Sequence, residues 1–384
     1  MTDLPLKGIR ILSVEQYGAG PYGTMLLADL GAEVIKIEDP SRGGDVSRSV
    51  GPYMLGEADS EFFQTFSLGK KSVTLDLKSP EGRAQFESLV RSADAVANNL
   101  RGDQPGKLGL TYEDLKAVNP KIVCAHLSAY GRKSERAAWP GYDYLMQAEA
   151  GFMSMTGEPD GPPVRFGLSM VDFHTGSHLA TALLAGILGA VRTGEGCDVD
   201  VCLFDTALHQ LSYPATWYLN QNHVTGRLPR GAHPSIAPSQ LVKTQDGWGL
   251  LMCQTPKFWT LWCQLTQCDL GEDPRFATVP ARRENLTALS QAVDAIMMMK
   301  PTQEWLELLG GHVPFAPVLD IGEALDSDYV ASVEMTTQVD HPSRPEGLRT
   351  LNSPFRVNGV RPTLSRAPEM GEQNADLLAK EETV

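Results

Sequence analysis

The chain has 384 residues, more than one compact core usually holds, so two domains of unequal size are expected. Hydrophobic residues make up 42% and charged residues 21%, the balance of a soluble globular protein and not of a disordered, collagenous or coiled-coil chain. The formal charge of −14 argues against a nucleic-acid binder or a protein held on anionic lipid, and any anionic ligand would have to be held by local basic residues.

The first residues, Met1 to Lys7, lack the basic-then-apolar run of a signal peptide. Gly8 to Val14 is a short β-branched run and reads as a strand. Pro21 can open a helix at its first position, Thr24 to Leu30 continues it with apolar spacing, and Gly31 ends it. Glu33 to Glu38 returns as a strand, completing a β-α-β unit. The pattern repeats with a strand at Ser72 to Asp76 and a helix capped by Ser79 and Pro80 that runs to Ser92. Ala93 to Asn98 and Ile122 to Leu127 are further strands around a helical stretch at Tyr112 to Val118. Asp143 to Ala150 reads as helix, residues 175–192 as a long apolar helix, and Asp198 to Cys202 as a strand. Strands alternating with helices predict a Rossmann-like parallel sheet covered on both faces.

After residue 224 the texture changes. Ser239 to Lys243 and Trp248 to Met252 flank Gln245-Asp246-Gly247, a hairpin signal, and helical runs follow at 257–266, 284–299 and 302–309. Residues 225–325 therefore read as a smaller α+β domain. The Met297-Met298-Met299 triplet reads as core filling. Six cysteines (Cys124, Cys197, Cys202, Cys253, Cys263 and Cys268) are spread without a C-x-x-C, which predicts reduced, mostly buried thiols in a cytoplasmic protein. No Cys/His set has zinc-ligand spacing. The longest apolar run, Leu179 to Val191, is too short to span a bilayer.

Gly18-Ala19-Gly20-Pro21-Tyr22-Gly23 fits the G-x-G-x-x-G dinucleotide fingerprint, after a strand and opening a helix. Two features weaken a nicotinamide reading. Pro21 removes one N–H from a phosphate cradle, and Glu38 follows closer than the usual roughly 20 residues. A strand-to-helix turn that needs glycine only for its backbone is the simpler account.

Residues 18–38 as a whole resemble the opening of class III CoA-transferases, the CaiB/BaiF family. The resemblance continues through Ser41-Arg42-Gly43-Gly44-Asp45, Gly69 to Lys78, Asn98-Asn99-Leu100, Pro105 to Gly109 and Gly141-Tyr142-Asp143. It extends through Thr156 to Pro163, Asp172, Gly176, Thr193 to Gly196, Arg275-Phe276, Trp305 and Pro317-Val318 to Arg366 through Glu372, and so covers essentially the whole chain. It implies an enzyme moving CoA between carboxylic acids, with CoA as a substrate and no permanently bound cofactor. It also implies an interlocked homodimer whose amino-terminal sheet domain is completed by the carboxy-terminal tail. On that expectation residues 1–224 and 326–384 form one discontinuous CoA-binding domain.

Asp172 matches the family's catalytic aspartate. It is expected just before the helix that starts near Thr175, where the helix amino terminus would stabilise its anion; from spacing alone an N-capping aspartate is the other reading. An ionised carboxylate there can attack a thioester carbonyl. By family position Gly18, Ala19, Leu75, Asp76, Leu77, Lys78, Asn99, Leu100, Arg101, Lys107, Pro140, Gly141, Tyr142 and Asp143 are expected CoA contacts. Arg42 is expected to substitute where Asp39 replaces an arginine that some members place beside the adenine. Arg42, Arg48, Lys70, Lys71, Lys78, Arg101 and Lys107 are the amino-terminal supply of cations for the phosphates. Racemases of the superfamily place a histidine at the position of Tyr142. Tyrosine is a poor base at neutral pH, which favours transfer over racemisation, the alternative activity. The stretch Gly231 to Pro238, with two prolines, predicts a stiffer loop than the family's glycine-rich lid. His233, Arg227 and Arg230 read as surface residues with the capacity to meet a carboxylate, and His174 and His178 as packing or hydrogen-bonded residues. A nicotinamide oxidoreductase and a silent acyl-CoA binder complete the alternatives.

Overall fold

Strands β1 (Arg10–Val14), β2 (Glu33–Glu38), β3 (Lys71–Thr74), β4 (Ala95–Asn98), β5 (Val123–Ser128) and β6 (Cys197–Cys202) form one parallel sheet in a computed structural model that describes residues 4–378. The first three residues of the stretch read for a leader, and the last six of the tail, lie outside the described residues. The strand order is β3-β2-β1-β4-β5-β6, the doubly wound arrangement, which changes direction between β1 and β4. The central strands are covered on both faces, so Ile11, Leu12, Ile35, Val96 and Cys124 are fully buried and the strands read as apolar runs. A parallel sheet is what the sequence predicts.

The covering helices include α1 (Ala19–Asp29), α2 (Pro80–Val90), α3 (Asp143–Glu149), α4 (Met170–Thr193) and α5 (Leu203–Gln210). In α2 the Gly82 N–H donates to Ser79 Oγ at 3.0 Å and Pro80 opens the helix, as its sequence predicts. α1 begins at Ala19, two residues before Pro21. The proline sits in the first turn, where its missing N–H has no intrahelical partner to lose.

The largest departure is at α4, which starts at Met170 and not near Thr175. Ser169 makes no side-chain cap. The cap comes instead from α3: Asp143 Oδ2 accepts the N–H groups of Val171 at 2.6 Å and Asp172 at 3.1 Å. This places Asp172 inside the first turn of α4.

α1 and α4 approach without an intervening side chain. A Cβ on Gly23 would lie 2.3 Å from Gly176 O, and one on Gly176 would lie 2.5 Å from Ala19 O. A Cβ on Gly20 would meet Asn99 Cβ at 2.8 Å. The glycine motif is thus used for close packing against α4 and Asn99, and not for the turn backbone of the simpler reading, since Gly18, Gly20 and Gly23 have no positive φ.

The carboxy-terminal segment covers the edge strand β3. Ser72 N–H donates to Gln373 Oε1 at 2.7 Å and Thr74 N–H to Asn374 Oδ1 at 2.9 Å, which occupies an edge otherwise open to another strand.

The chain forms two compact units. One holds the residues up to Ala150, Gly167–Leu211 and those from Asp328 onward, and the other holds Gly151–Phe166 and Ser212–Ser327. The sequence boundary at 224/225 therefore falls inside the smaller unit, which also takes residues 151–166. Contacts within that unit give the reason. Arg227 Nη1 donates to Pro162 O at 2.8 Å, and the Arg230 N–H donates to Glu158 Oε1 at 2.8 Å.

In the smaller unit β7 (Ser239–Lys243) and β8 (Trp248–Met252) pair antiparallel across the predicted turn, and β9 (Phe315–Pro317) adds to β8. Helices α6 (Pro256–Thr266), α7 (Leu286–Met297) and α8 (Thr302–Leu309) contribute Trp259, Trp262, Leu289, Val293, Met297 and Trp305 to its core. The run expected at 284–299 is broken at Asn285, whose backbone is not helical. Of the three methionines only Met297 is core; Met298 and Met299 are 46% and 74% exposed because they lie past the end of α7.

Gly176→Ala should force α1 and α4 apart and lower stability by about 1–3 kcal/mol. The urea midpoint of the purified variant checks this, and an unchanged midpoint contradicts the packing role.

Candidate active site

In doubly wound sheets ligands bind beyond the carboxyl ends of the strands, where the strand order reverses. Here the segments that leave β1, β2, β3, β4 and β5 surround a cleft of about 580 Å³, and all of its lining residues belong to the larger unit. That volume is in the range of small-molecule sites.

The floor of the cleft rests on buried charges. Lys36 Nζ bonds Asp45 Oδ2 at 2.6 Å, Lys70 Nζ bonds Glu15 Oε1 at 2.8 Å, and Arg48 grips Glu38 through Nε at 2.8 Å and Nη2 at 2.6 Å. Ser72 Oγ donates to Glu38 Oε1 at 2.6 Å, and Arg48 Nη2 donates to Pro368 O at 3.1 Å, which ties the carboxy-terminal segment to this layer. Burial opposes the charge of Lys36, yet Asp45, Glu15 and Glu38 hold its pKa above the usual lysine value. Lys70 is pulled down to about 8 by burial, which Glu15 only partly offsets. Arg48 and Lys70 are therefore structural, contrary to their reading as ligand cations. Their charges are spent on carboxylates at the ends of β1 and β2.

The exposed cations at the cleft are Arg42, Lys78 and Arg101. Arg42 pairs with Asp39 at 3.4 Å, Arg101 pairs with Asp103 at 3.3 Å, and Lys78 makes no ion pair among the described residues. Lys71 is bound to Glu33 at 2.6 Å, and Lys107 is bound to Asp103 at 2.6 Å outside the lining. Gly18, Ala19, Leu75, Asp76, Leu77, Asn99, Leu100, Pro140, Gly141 and Tyr142 all line the cleft. Asn99 also staples its two lips, accepting from Gln16 N–H at 2.9 Å and donating to Gln16 O at 2.7 Å. Asp143 does not line the cleft, because its carboxylate is turned into the start of α4.

Asp172 lies in the cleft beside the first turn of α1, where a Cβ on Gly18 would stand 3.6 Å from its Oδ2. Among the described residues its carboxylate has no hydrogen-bond donor. Burial, and then the charge of Asp143, push its pKa up to about 7. The expectation that the helix terminus would stabilise the Asp172 anion is thus reversed: Asp143 takes the terminal amides. His174 faces Met170 O at 2.9 Å and His178 faces Thr206 Oγ1 at 3.2 Å, the hydrogen-bonded roles expected of them.

Gln16, Tyr17, Gln104, Ser128, Trp139 and Leu203 also line the cleft and were not singled out in the sequence. Gln16, Tyr17 and Ser128 stand at or just beyond the carboxyl ends of β1 and β5, where the strand-end rule would have found them. In the smaller unit Arg227 and Arg230 are engaged by Pro162 O and by Asp294, and His233 Nε2 lies 3.1 Å from Tyr213 OH. The loop ending at Pro238 is anchored by Arg282, whose Nε donates to Ala237 O at 2.7 Å. Among the described residues no cluster of His, Cys, Asp and Glu could hold a metal, and no helix is long and apolar enough to cross a membrane.

A doubly wound sheet with a half-buried aspartate at its ligand-binding edge, unpartnered among the described residues, is the arrangement of an enzyme that works on a bound small molecule. The chain belongs to CoA-transferase family III, whose model matches residues 6–374, and it is a CoA-transferase. It is 33% identical to the succinate–glutarate CoA-transferase of Agrobacterium fabrum, over 100% of this chain and 98% of that one. It is 32% identical to the acetyl-CoA:oxalate CoA-transferase of Acetobacter aceti, over 97% and 95%. A crystal structure of a CaiB/BaiF family protein from Brucella suis superposes with a TM-score of 0.83 at 32% identity, covering 97% of this chain and 98% of that one.

Because the folded state raises the Asp172 pKa from 3.8 to about 7, it binds more protons than the unfolded chain between those values. The ionised side chain therefore destabilises the fold above pH 7, and this penalty disappears as pH falls towards 4. Asp172→Asn should accordingly be more stable than the wild type at pH 8 and no more stable at pH 4. Chemical denaturation at the two pH values measures the difference, and an equal effect at both refutes the assignment.

Proposed function

We propose that the protein moves CoA from an acyl-CoA donor to a carboxylic acid acceptor through covalent intermediates on Asp172. The observation that carries this is the Asp172 carboxylate, which lies half-buried in the cleft and, among the described residues, has no hydrogen-bond donor. A carboxylate in that setting is not stabilised by its surroundings and is free to attack. An oxygen of ionised Asp172 adds to the thioester carbonyl, and the C–S bond breaks. This leaves a mixed anhydride and CoA thiolate. The thiolate attacks the aspartyl carbonyl, the anhydride C–O bond breaks, and the first acid leaves as its carboxylate. The acceptor carboxylate then attacks the aspartyl-CoA thioester and expels the thiolate. That thiolate attacks the acceptor's acyl carbon in the new anhydride, freeing Asp172 and giving the second thioester. No proton or electron is gained or lost over the cycle.

The N–H groups of Gly18 and Ala19 have no acceptor among the described residues and stand at the start of α1 beside Asp172. They are the proposed donors to the oxyanion. Arg42, Lys78 and Arg101 are the proposed contacts for the phosphates of CoA, with Leu75, Asp76, Leu77, Asn99, Leu100, Pro140, Gly141 and Tyr142 lining its path. Tyr142 in place of a histidine favours transfer over racemisation, since a phenol is a poor base at neutral pH. An interlocked homodimer in the cytoplasm belongs to the same reading, and the free cysteines suit a reducing compartment.

The test is a panel of donors beginning with succinyl-CoA and acetyl-CoA, crossed with succinate, glutarate, oxalate and mesaconate. Mass spectrometry of the thioesters formed reads the result. The wild type should form a new thioester and carry CoA on Asp172 when quenched during turnover. Asp172→Ala should lose at least about 10³-fold in rate while still binding CoA. A folded Asp172→Ala protein that transfers CoA at the wild-type rate overturns the reading.

A further inference from the structure

Asp143 is 3% exposed, and burying a carboxylate is costly unless its oxygens are bonded. Both are. Oδ2 accepts the Val171 N–H at 2.6 Å and the Asp172 N–H at 3.1 Å, and Oδ1 accepts from Gln147 Nε2 at 2.5 Å. Gln147 is itself fully buried and donates to Leu168 O at 3.3 Å, so the same pair holds the turn that leads into α4. None of this touches the cleft, where Asp143 lines no wall.

The start of a helix offers unbonded N–H groups and about half a positive charge. Asp172 is the third residue of α4, where a carboxylate ordinarily folds back onto the N–H of the residue before the helix, here Ser169. A carboxylate so bonded is stabilised as its anion and loses basicity. Among the described residues Asp172 makes no such bond, and its own N–H and that of Val171 are held by a second carboxylate, from α3.

We propose that Asp143 is a positioning residue for CoA transfer. It holds the N–H groups of Val171 and Asp172, which fixes the main chain of Asp172 with its carboxylate turned to the cleft. This rests on the reading of Asp172 as the nucleophile. Among the described residues, Asp143 is the one whose carboxylate bonds the Asp172 main chain. α1 presents backbone at Gly18 and Ala19, and its Tyr22 ring packs on Phe173 with ring centres 5.0 Å apart. On α4, His174 faces Met170 O. Across the floor, Glu15 and Asp45 are held by Lys70 and Lys36. The Asp143 carboxylate acts on Asp172 through charge as well, in the direction that keeps it basic.

Asp143→Asn keeps the size of the side chain and one acceptor oxygen while removing the charge. With the fastest donor and acceptor from the panel, the acid limb of its kcat/KM profile should move down by about one pH unit. Asp143→Ala, which also frees the start of α4, should lose about 100-fold in kcat, while KM for the acyl-CoA stays within about twofold of wild type. Calorimetric CoA binding and thermal unfolding establish that each variant is folded; if the alanine variant is not, the asparagine variant decides. An unmoved acid limb with wild-type kcat in Asp143→Asn overturns the proposal. So does a raised KM with unchanged kcat, which would make Asp143 a ligand contact. Asp172→Asn run in parallel separates the two readings. If it transfers CoA at the wild-type rate, the nucleophile assignment falls and this proposal falls with it. If it is inactive while Asp143→Asn behaves as wild type, only the role of Asp143 falls.

Discussion

The absence of side chains between α1 and α4 governs the geometry of the cleft. Gly23 and Gly176 let two backbones meet at distances where a single added Cβ would lie 2.3–2.5 Å from a carbonyl oxygen. Because the contact is backbone on backbone, it has little freedom to slide, as a packed interior resists change of even one methylene. It sets the first turn of α4 against the first turn of α1, and so sets Asp172 beside Gly18. A motif that reads as a phosphate cradle is thereby absorbed into helix packing, and the same packing delivers Asp172 to the cleft.

Beneath that contact lies a layer that answers the difficulty raised by a net charge of −14. Three cations and three carboxylates are buried at the ends of β1 and β2 as Lys36–Asp45, Lys70–Glu15 and Arg48–Glu38. Each pair is close to neutral, so the cleft floor repels an anion far less than the overall charge suggests. The cations exposed to a ligand are those at the rim, Arg42, Lys78 and Arg101, of which Arg42 and Arg101 also pair with Asp39 and Asp103. Buried ion pairs of this kind are weak evidence for stability, because desolvation consumes most of their attraction. Their use here is specificity of arrangement. Arg48 reaches Pro368 O and Ser72 bridges Glu38 to Gly371 N–H, so the layer also fixes where the carboxy-terminal segment crosses.

The parts of this protein that were legible in its sequence are those decided by neighbours in the chain. β2 is found at Glu33–Glu38 because a β-branched run stands between a glycine and a loop, and β7 and β8 are found because Asp246-Gly247 makes a turn. Ser79 and Pro80 announce α2 for the same local reason. What was not legible depends on pairings across the fold. Asp143 lies 28 residues from Val171, and nothing in either segment marks the bond that moves the start of α4 to Met170. Lys70 and Lys78 are alike as sequence, yet one is sealed against Glu15 and the other stands open at the rim. Asp172 itself was reached through a family resemblance, since its spacing alone describes an ordinary cap.

That ambiguity is physically instructive. A capping aspartate and a nucleophilic aspartate at the start of a helix differ only in what the terminal amides are doing. A side chain that turns back onto a free N–H becomes a stabilised, unreactive anion. One left half-buried and without a donor weakens the fold when it ionises. Asp172 is in the second state, while the N–H groups of Val171 and Asp172 are held by Asp143. On the proposed reading of Asp172 as the nucleophile, the stability that a cap contributes sits at one carboxylate and the reactivity at another, which removes the conflict that one residue serving both would face.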